Sequence, residues 1–185
     1  RAKQVPGITP IYDIALSYMA SSEDPISGGR HKVLGSKTLN IPPQTSTIAS
    51  HLPKAVGTAF SIDRAKDLDI ADRELKGGSI VLCSFGDASA NHATALSAIN
   101  TASWVNNVGG HVPIIFICED NGTGISVPTD SHWIQDNFSN RPGIDYLQTN
   151  GLHLIDLMIK SRRAEHTCRI NRSPVFLHMK TIRLM

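Results

Sequence analysis

The chain has 185 residues and a formal net charge of +2. That length suffices for one domain with a real core, and so small a charge, without a Lys/Arg cluster, gives no argument for nucleic acid. Aromatic residues make up 5% of the chain, which speaks against a base-stacking surface, and no apolar run approaches the length that spans a membrane.

The first element is a short helix over 11–20, IYDIALSYMA, beside Pro6 and Pro10. Residues 21–47 are rich in Ser, Gly and Pro and read as a long loop, which in a compact domain implies a functional or interface role. Ser50 is a fair N-cap for the next helix, and Pro53 falls in its first turn, where the missing N–H does no harm. Leu52, Val56, Ala59 and Phe60 form its apolar stripe, opposite Asp63, Arg64 and Lys66. A turn at Lys76-Gly77-Gly78 leads into SIVLCS (79–84), an apolar run of strand length.

A second long helix is predicted over 88–105, where repeated Ala and Ser permit close packing. Gly109 and Gly110 turn the chain into PIIFIC, a second buried strand over 114–118. Residues 121–150, with Pro128 and Pro142, read as loop. A third helix follows over 152–170 and a last strand over 175–179. Helix and strand alternate, which implies an α/β fold with a mainly parallel sheet flanked by helices.

Cys83, Cys118 and Cys168 lack metal-like spacing, and two fall in predicted core strands. Three unpaired cysteines fit a reducing compartment. The chain opens at Arg1 without an initiator Met and stops in TIRLM at Met185. Both ends read as cut from a longer chain, so the lack of a leader carries no information.

Chemistry concentrates between Gly86 and Asn121. One apolar run ends in Gly86-Asp87, the next in Glu119-Asp120-Asn121-Gly122-Thr123-Gly124. In a parallel sheet both lie past the carboxyl ends of strands, where ligands bind. A carboxylate and an amide oxygen together suit a hard cation such as magnesium, which neutralises a diphosphate. The helix start after Asp87 offers N–H groups to phosphate, unshielded because Ala88, Ser89 and Ala90 are small. Thr123 adds a backbone carbonyl. The plain alternative makes Asp87 a helix N-cap and Asn121 a turn residue.

These segments resemble a known family. Gly86-Asp87-Ala88 followed by Asp120-Asn121 is similar to the thiamine diphosphate motif, Gly-Asp-Gly and then Asn-Asn. TSTIASHLPKAVGTAF (45–60), GDASANHATALSAINTA, CEDNGTGISVPT, RPGIDYLQTNGLHLIDL and PVFLHMKTIRL all resemble the decarboxylating dehydrogenase component of 2-oxo acid dehydrogenase complexes. The branched-chain and fused α–β bacterial members are nearest. The resemblance covers about residues 25–185.

It implies one diphosphate-binding domain over 1–185, truncated at both ends, with 21–47 and 121–150 loop-rich. Asp87 and Asn121 would bind magnesium through side chains, and Thr123 through its carbonyl. Gly86, Ala88 and Ser89 would line the diphosphate. Ile48 would contact the aminopyrimidine ring through its main chain, and Ile125 would form an apolar wall; the alternative for both is ordinary core. The implied reaction is oxidative decarboxylation of a 2-oxo acid with acyl transfer to a lipoyl group. The implied partners are a pyrimidine-binding domain or β chain and a lipoyl-bearing acyltransferase, in a dimer or heterotetramer. The compartment would be the bacterial cytoplasm or the mitochondrial matrix.

The family's catalytic His and Glu match nothing in this stretch, so no catalytic residue is named and the isolated stretch is expected to be inactive. Two departures stand out: Ala88 replaces the motif's second Gly, and Asp120 replaces its first Asn. Among the histidines, His31 lies in a loop, His51 reads as structural, and His92 is expected to support the diphosphate only indirectly. The other readings are a transketolase-like transferase and a non-catalytic domain that kept the fold and lost the ligand.

Overall fold

The computed structural model describes residues 7 and 9–184. Pro6 and Met185 lie outside the described residues. The chain forms two compact units, residues 1–50 and 51–185.

The first unit opens with helix α1, Pro10–Tyr18, with Pro10 in the first turn. A tight turn follows around Asp24. Its carboxylate is buried and accepts hydrogen bonds from Ser27 Oγ at 2.6 Å and Ile26 N at 3.1 Å. These bonds to the charged form hold its pKa below the usual carboxylate range. Within the stretch expected to be loop, strands β1, Leu34–Ser36, and β2, Ile41–Gln44, pair antiparallel. Both are too short and exposed to leave an apolar pattern in the sequence.

The second unit is built on one sheet. Helix α2, His51–Asp67, precedes strand β3, Val81–Gly86. A 3₁₀ turn over Ala88–Asn91 and helix α3, Ala93–Asn107, lead to β4, Ile114–Asp120. A two-stranded ribbon, β5 (Thr123–Gly124) with β6 (Val127–Pro128), precedes the short helix α4, Trp133–Phe138. Strand β7, Asp145–Asn150, helix α5, Leu154–Ile170, and strand β8, Val175–Lys180, complete it. The sheet order is β3-β4-β8-β7, and all three pairings are parallel. The α/β fold with a parallel sheet flanked by helices is therefore present, and the three predicted strands lie side by side in it.

The predicted loop over 121–150 needs correction, because it holds β5, β6, α4 and β7. β7 reads DYLQTN and lies at the sheet edge, paired only with β8. Alternate side chains face solvent there, so the strand lacks the apolar run that marked its neighbours. The predicted helix over 88–105 also divides. His92 adopts an extended conformation, φ −68° and ψ 135°, and separates the 3₁₀ turn from α3.

Register sorts the side chains. Ile115, Leu147, Val175 and Leu177 meet Ala164 and Cys168 of α5 on one face. On the other, Phe138 of α4 stacks on Phe176 with ring centroids 4.7 Å apart, and Phe85 meets the Phe176 ring edge-on at 6.0 Å. Phe116 and Phe176 are fully buried, each contributing about 1.5–3 kcal/mol by burial. Ala95, Ala98 and Ala102 of α3 are buried, and their small side chains let α3 pack closely on α2. Among the described residues no helix is long and apolar enough to cross a membrane.

Candidate functional site

Parallel pairing places Gly86 beside Glu119 at the carboxyl end of the sheet. Asp87 and Asp120 therefore follow one another across the edge, on the face that carries Phe85 and Phe116. Asp87 is 3% exposed. Its backbone enters the 3₁₀ turn, yet its side chain makes no capping bond. Instead Oδ2 accepts a hydrogen bond from Thr129 Oγ1. Thr129 N in turn donates to Gly122 O at 3.0 Å. The β5–β6 ribbon is thereby tied to the carboxylate at the end of β3. Asp87 thus stands at the N-cap position of the turn without the side-chain bond by which an N-cap stabilises a helix. The helix-dipole argument also changes, since α3 begins only after His92, which caps it by accepting from Thr94 N at 3.2 Å.

Asn121 follows β4 directly and is half-buried. Its Oδ1 accepts from Thr123 N at 2.9 Å, so the turn role is real. An amide oxygen has two lone pairs, and this bond leaves one for a cation. Gly122 sits at φ +72°, which permits the sharp turn. Ala88 is exposed and Ser89 half-buried, both in the 3₁₀ turn. A Cβ built on Gly86 meets nothing within 4 Å.

Ile125, at the tip of the ribbon, is 83% exposed and held at φ +57°. A β-branched residue there is a true outlier. Its carbonyl accepts from Arg183 Nη1 at 2.7 Å. Ile48 belongs to the first unit and is 53% exposed. Neither isoleucine is buried core. The other named residues, Gly86, Asp87, Ala88, Ser89, Asn121 and Thr123, converge on the edge of β3 and β4.

Sequence reasoning missed a buried polar chain beside this edge. Asp120 is 3% exposed and His178 0%. Asp120 Oδ2 lies 2.7 Å from His178 Nε2 and 2.5 Å from Lys180 Nζ, and Oδ1 accepts from Gly122 N at 3.1 Å. Tyr146 Oη lies 2.6 Å from His178 Nδ1. An ionised carboxylate only accepts, so His178 donates from Nε2, and Tyr146 donates to Nδ1. Burial opposes ionisation of Asp120, but the bonds from Lys180 and His178 outweigh it and hold its pKa below the usual range. Burial pushes the His178 pKa down against the pull of Asp120. His178 is thus neutral, and the ion pair is Asp120 with Lys180. The one signal in the sequence was Asp120 itself, an acidic residue ending an apolar strand.

Two other histidines brace the fold, His92 as the cap of α3 and His51 at the start of α2. His51 Nε2 lies 2.8 Å from Ser84 O and fixes the start of α2 to β3. His31 is exposed. Burial raises the thiol pKa of Cys83 and Cys168, each to about 12. They are inert core residues.

The edge offers oxygen donors: a buried carboxylate, an amide and backbone carbonyls. Among the described residues no cluster of three His, Cys, Asp or Glu side chains could hold a metal. A cation here would be a hard one, completing its shell from the ligand's own oxygens. Gly86 leaves room for a ligand against the backbone. The residues fit a magnesium–diphosphate group.

The family model for the dehydrogenase E1 component matches residues 5–185. The chain belongs to that family, whose cofactor is thiamine diphosphate. The mitochondrial 2-oxoisovalerate dehydrogenase subunit alpha of Caenorhabditis elegans is 28% identical over 166 residues, covering 87% of this chain and 35% of the relative. The Bacillus subtilis 2-oxoisovalerate dehydrogenase subunit alpha is 29% identical over 177 residues, covering 93% of this chain and 49% of the relative. The testis-specific pyruvate dehydrogenase E1 component subunit alpha of Rattus norvegicus is 27% identical over 119 residues, covering 62% and 28% respectively. The chain spans half or less of the length of these relatives.

Proposed function

We propose that this chain supplies the diphosphate- and metal-binding part of a thiamine diphosphate-dependent 2-oxo acid dehydrogenase. The observation that carries the reading is the lock of Asp87 to Thr129 beside Asn121, at the carboxyl end of adjacent parallel strands. It fixes a buried carboxylate where ligands of α/β sheets bind.

Asp87 and Asn121 hold magnesium through side-chain oxygens, with the Thr123 carbonyl as a third ligand. Thr129 orients Asp87 by occupying one carboxylate oxygen. Gly86, Ala88 and Ser89 line the diphosphate. Ile125 provides an apolar wall that limits water, and Ile48 offers its main chain to the aminopyrimidine. When bound, thiamine diphosphate supplies the carbanion that adds to the 2-oxo carbonyl and accepts the electrons left by decarboxylation. The residues named here bind and orient; none moves a proton.

The whole domain over 1–185 is read as the diphosphate-binding one. Its partners are a β chain or pyrimidine-binding domain and a lipoyl-bearing acyltransferase that takes the acyl group, within a dimer or heterotetramer. The relatives' names favour a branched-chain 2-oxo acid as the first substrate to test, with the mitochondrial matrix as the compartment in a eukaryote.

The test is calorimetric titration of the full-length protein, with its partner chain, by thiamine diphosphate in magnesium. Asp87→Ala should abolish magnesium-dependent binding while the protein stays folded. Unchanged affinity in that variant would refute the assignment.

A further inference from the structure

The motif that this chain resembles has an amide where Asp120 stands. A second carboxylate beside Asp87 and Asn121 would alter a magnesium site, by adding a negative charge and a competing ligand. The structure shows where that charge goes. Lys180 Nζ lies 2.5 Å from Asp120 Oδ2, and the Asp120 side chain is 2% exposed. His178 Nε2 takes the same oxygen at 2.7 Å, and Gly122 N takes Oδ1 at 3.1 Å. Both oxygens are therefore committed to donors within the protein. Lys180 also donates to Ser131 O at 2.9 Å, and Thr181 N to Asp120 O at 2.8 Å. The ammonium is built into the network from two sides.

We propose that Lys180 is a positioning residue that acts through Asp120: the pair forms a charge-neutral substitute for an uncharged amide and leaves Asp87 as the single carboxylate ligand of the metal. The inference rests on the metal site proposed above. Its physical content is the sign of the charge. Asp120 with Lys180 sums to zero, as an amide would. Removing the acid alone leaves an uncompensated cation beside the metal, and removing the lysine alone leaves an uncompensated anion. A mere structural brace would weaken the site whichever partner is lost. A charge substitute shifts it in opposite directions.

The experiment measures Mn²⁺ affinity by electron paramagnetic resonance. It uses the full-length protein with its partner chain at a fixed excess of thiamine diphosphate, in four forms: unsubstituted, Asp120→Asn, Lys180→Met and the double variant. Asp120→Asn should weaken Mn²⁺ binding about tenfold, Lys180→Met should strengthen it several-fold, and the double variant should return to within about twofold of the starting value. Asp120→Asn is isosteric: with its oxygen in the place of Oδ2 the amide still accepts from Lys180 Nζ and His178 Nε2, while its NH2 turns toward Gly122 N. Thermal unfolding of each variant is read first, and Lys180→Met with the double variant decides if Asp120→Asn does not fold. If Lys180→Met does not fold, Asp120→Asn and the double variant still decide. Unchanged affinity in Asp120→Asn, weakening in both single variants, or failure of the double variant to recover would each overturn the proposal. An Asp87→Ala control separates the two readings. If it leaves Mn²⁺ binding intact, the metal site itself is misassigned and this inference falls with it. If it abolishes binding, the Asp120 and Lys180 variants judge the inference alone.

Discussion

The methyl group of Ala88 rests against Gly124: a Cβ built at position 124 would lie 2.8 Å from the Ala88 Cβ. Ala88 departs from the motif's Gly, and Gly124 is the residue that accommodates it. The methyl packs toward the β5–β6 ribbon, and the backbone at Gly86 stays open.

Gly124 does not sit at positive φ, so its requirement is steric and not conformational. Gly124→Ala should therefore destabilise the protein by about 1–3 kcal/mol through overpacking. Ala88→Gly in the same molecule should recover most of the loss. Urea unfolding of the two single variants and the double variant checks this, and additive losses would contradict the contact.

Arg172 and Asp63 form the other two-residue lock. Nε and Nη2 of Arg172 donate to the Asp63 carboxylate at 2.8 and 2.9 Å, while Nη1 donates to Ser79 O at 3.0 Å. The bidentate pair joins α2 to the segment between α5 and β8 and to the approach to β3. Arg172→Met should cost about 2–3 kcal/mol, because it strands a largely buried carboxylate whose remaining partner is His111. Adding Asp63→Asn should restore more than half of it. A double-mutant cycle by thermal unfolding reads the coupling, and a cycle near zero would sink the claim.

The network predicts how stability varies with pH. The folded pKa of His178 is depressed below its ordinary 6.5, first by burial. The unfolded state therefore takes up a proton before the folded state does. This contribution is complete above pH 6.5 and declines as pH falls from there. At Asp63 burial raises the pKa, but Arg172 outweighs it and the net shift is downward; Asp120 is depressed by Lys180 and His178 against burial. Stability from these carboxylates is present above the ordinary 3.8 and is lost as pH falls through their lower folded values. Denaturant midpoints should thus show a plateau above neutrality, a first decline beginning near pH 6.5 and a second below about 4. His178→Gln should remove the first decline and keep the second. If it keeps both, another group titrates.

The sequence made β4 and β8 legible as apolar runs with both faces covered, and β3 by its apolar run alone, since it lies at the sheet edge opposite β7 with Leu82 64% exposed. It hid β7, whose edge position lets Asp145, Gln148 and Asn150 face water, and the ribbon β5–β6, which is only two residues per strand. Asp87 was visible because Gly-Asp after one apolar strand is answered by Asp-Asn after the next, with a small-residue helix between them. Its hydroxyl partner Thr129 was not, since 42 positions separate the pair and a Thr among loop residues carries no pattern. His178 and Lys180 escaped for a related reason. They stand in a run read only for its apolar residues, and their role appears once β8 lies beside β4.

Strain at Ile125 supplies the final prediction. Its φ of +57° is a conformation that β-branched residues strongly disfavour, and its side chain is 83% exposed, so almost no burial repays the cost. Such strain amounts to about 1–3 kcal/mol. Arg183 holds the carbonyl and the ribbon fixes the residues on either side. Asn tolerates the left-handed region and adds no chain freedom to the unfolded state as Gly would. Ile125→Asn should therefore stabilise the ligand-free protein by about 1 kcal/mol. Under the proposed function the same change removes an apolar wall, so affinity for thiamine diphosphate should fall about tenfold, close to the worth of one buried aliphatic side chain. Thermal unfolding without ligand and calorimetric titration with it separate the two effects. A variant no more stable than the parent would refute the strain, and a more stable variant with undiminished affinity would show that Ile125 does not face the cofactor.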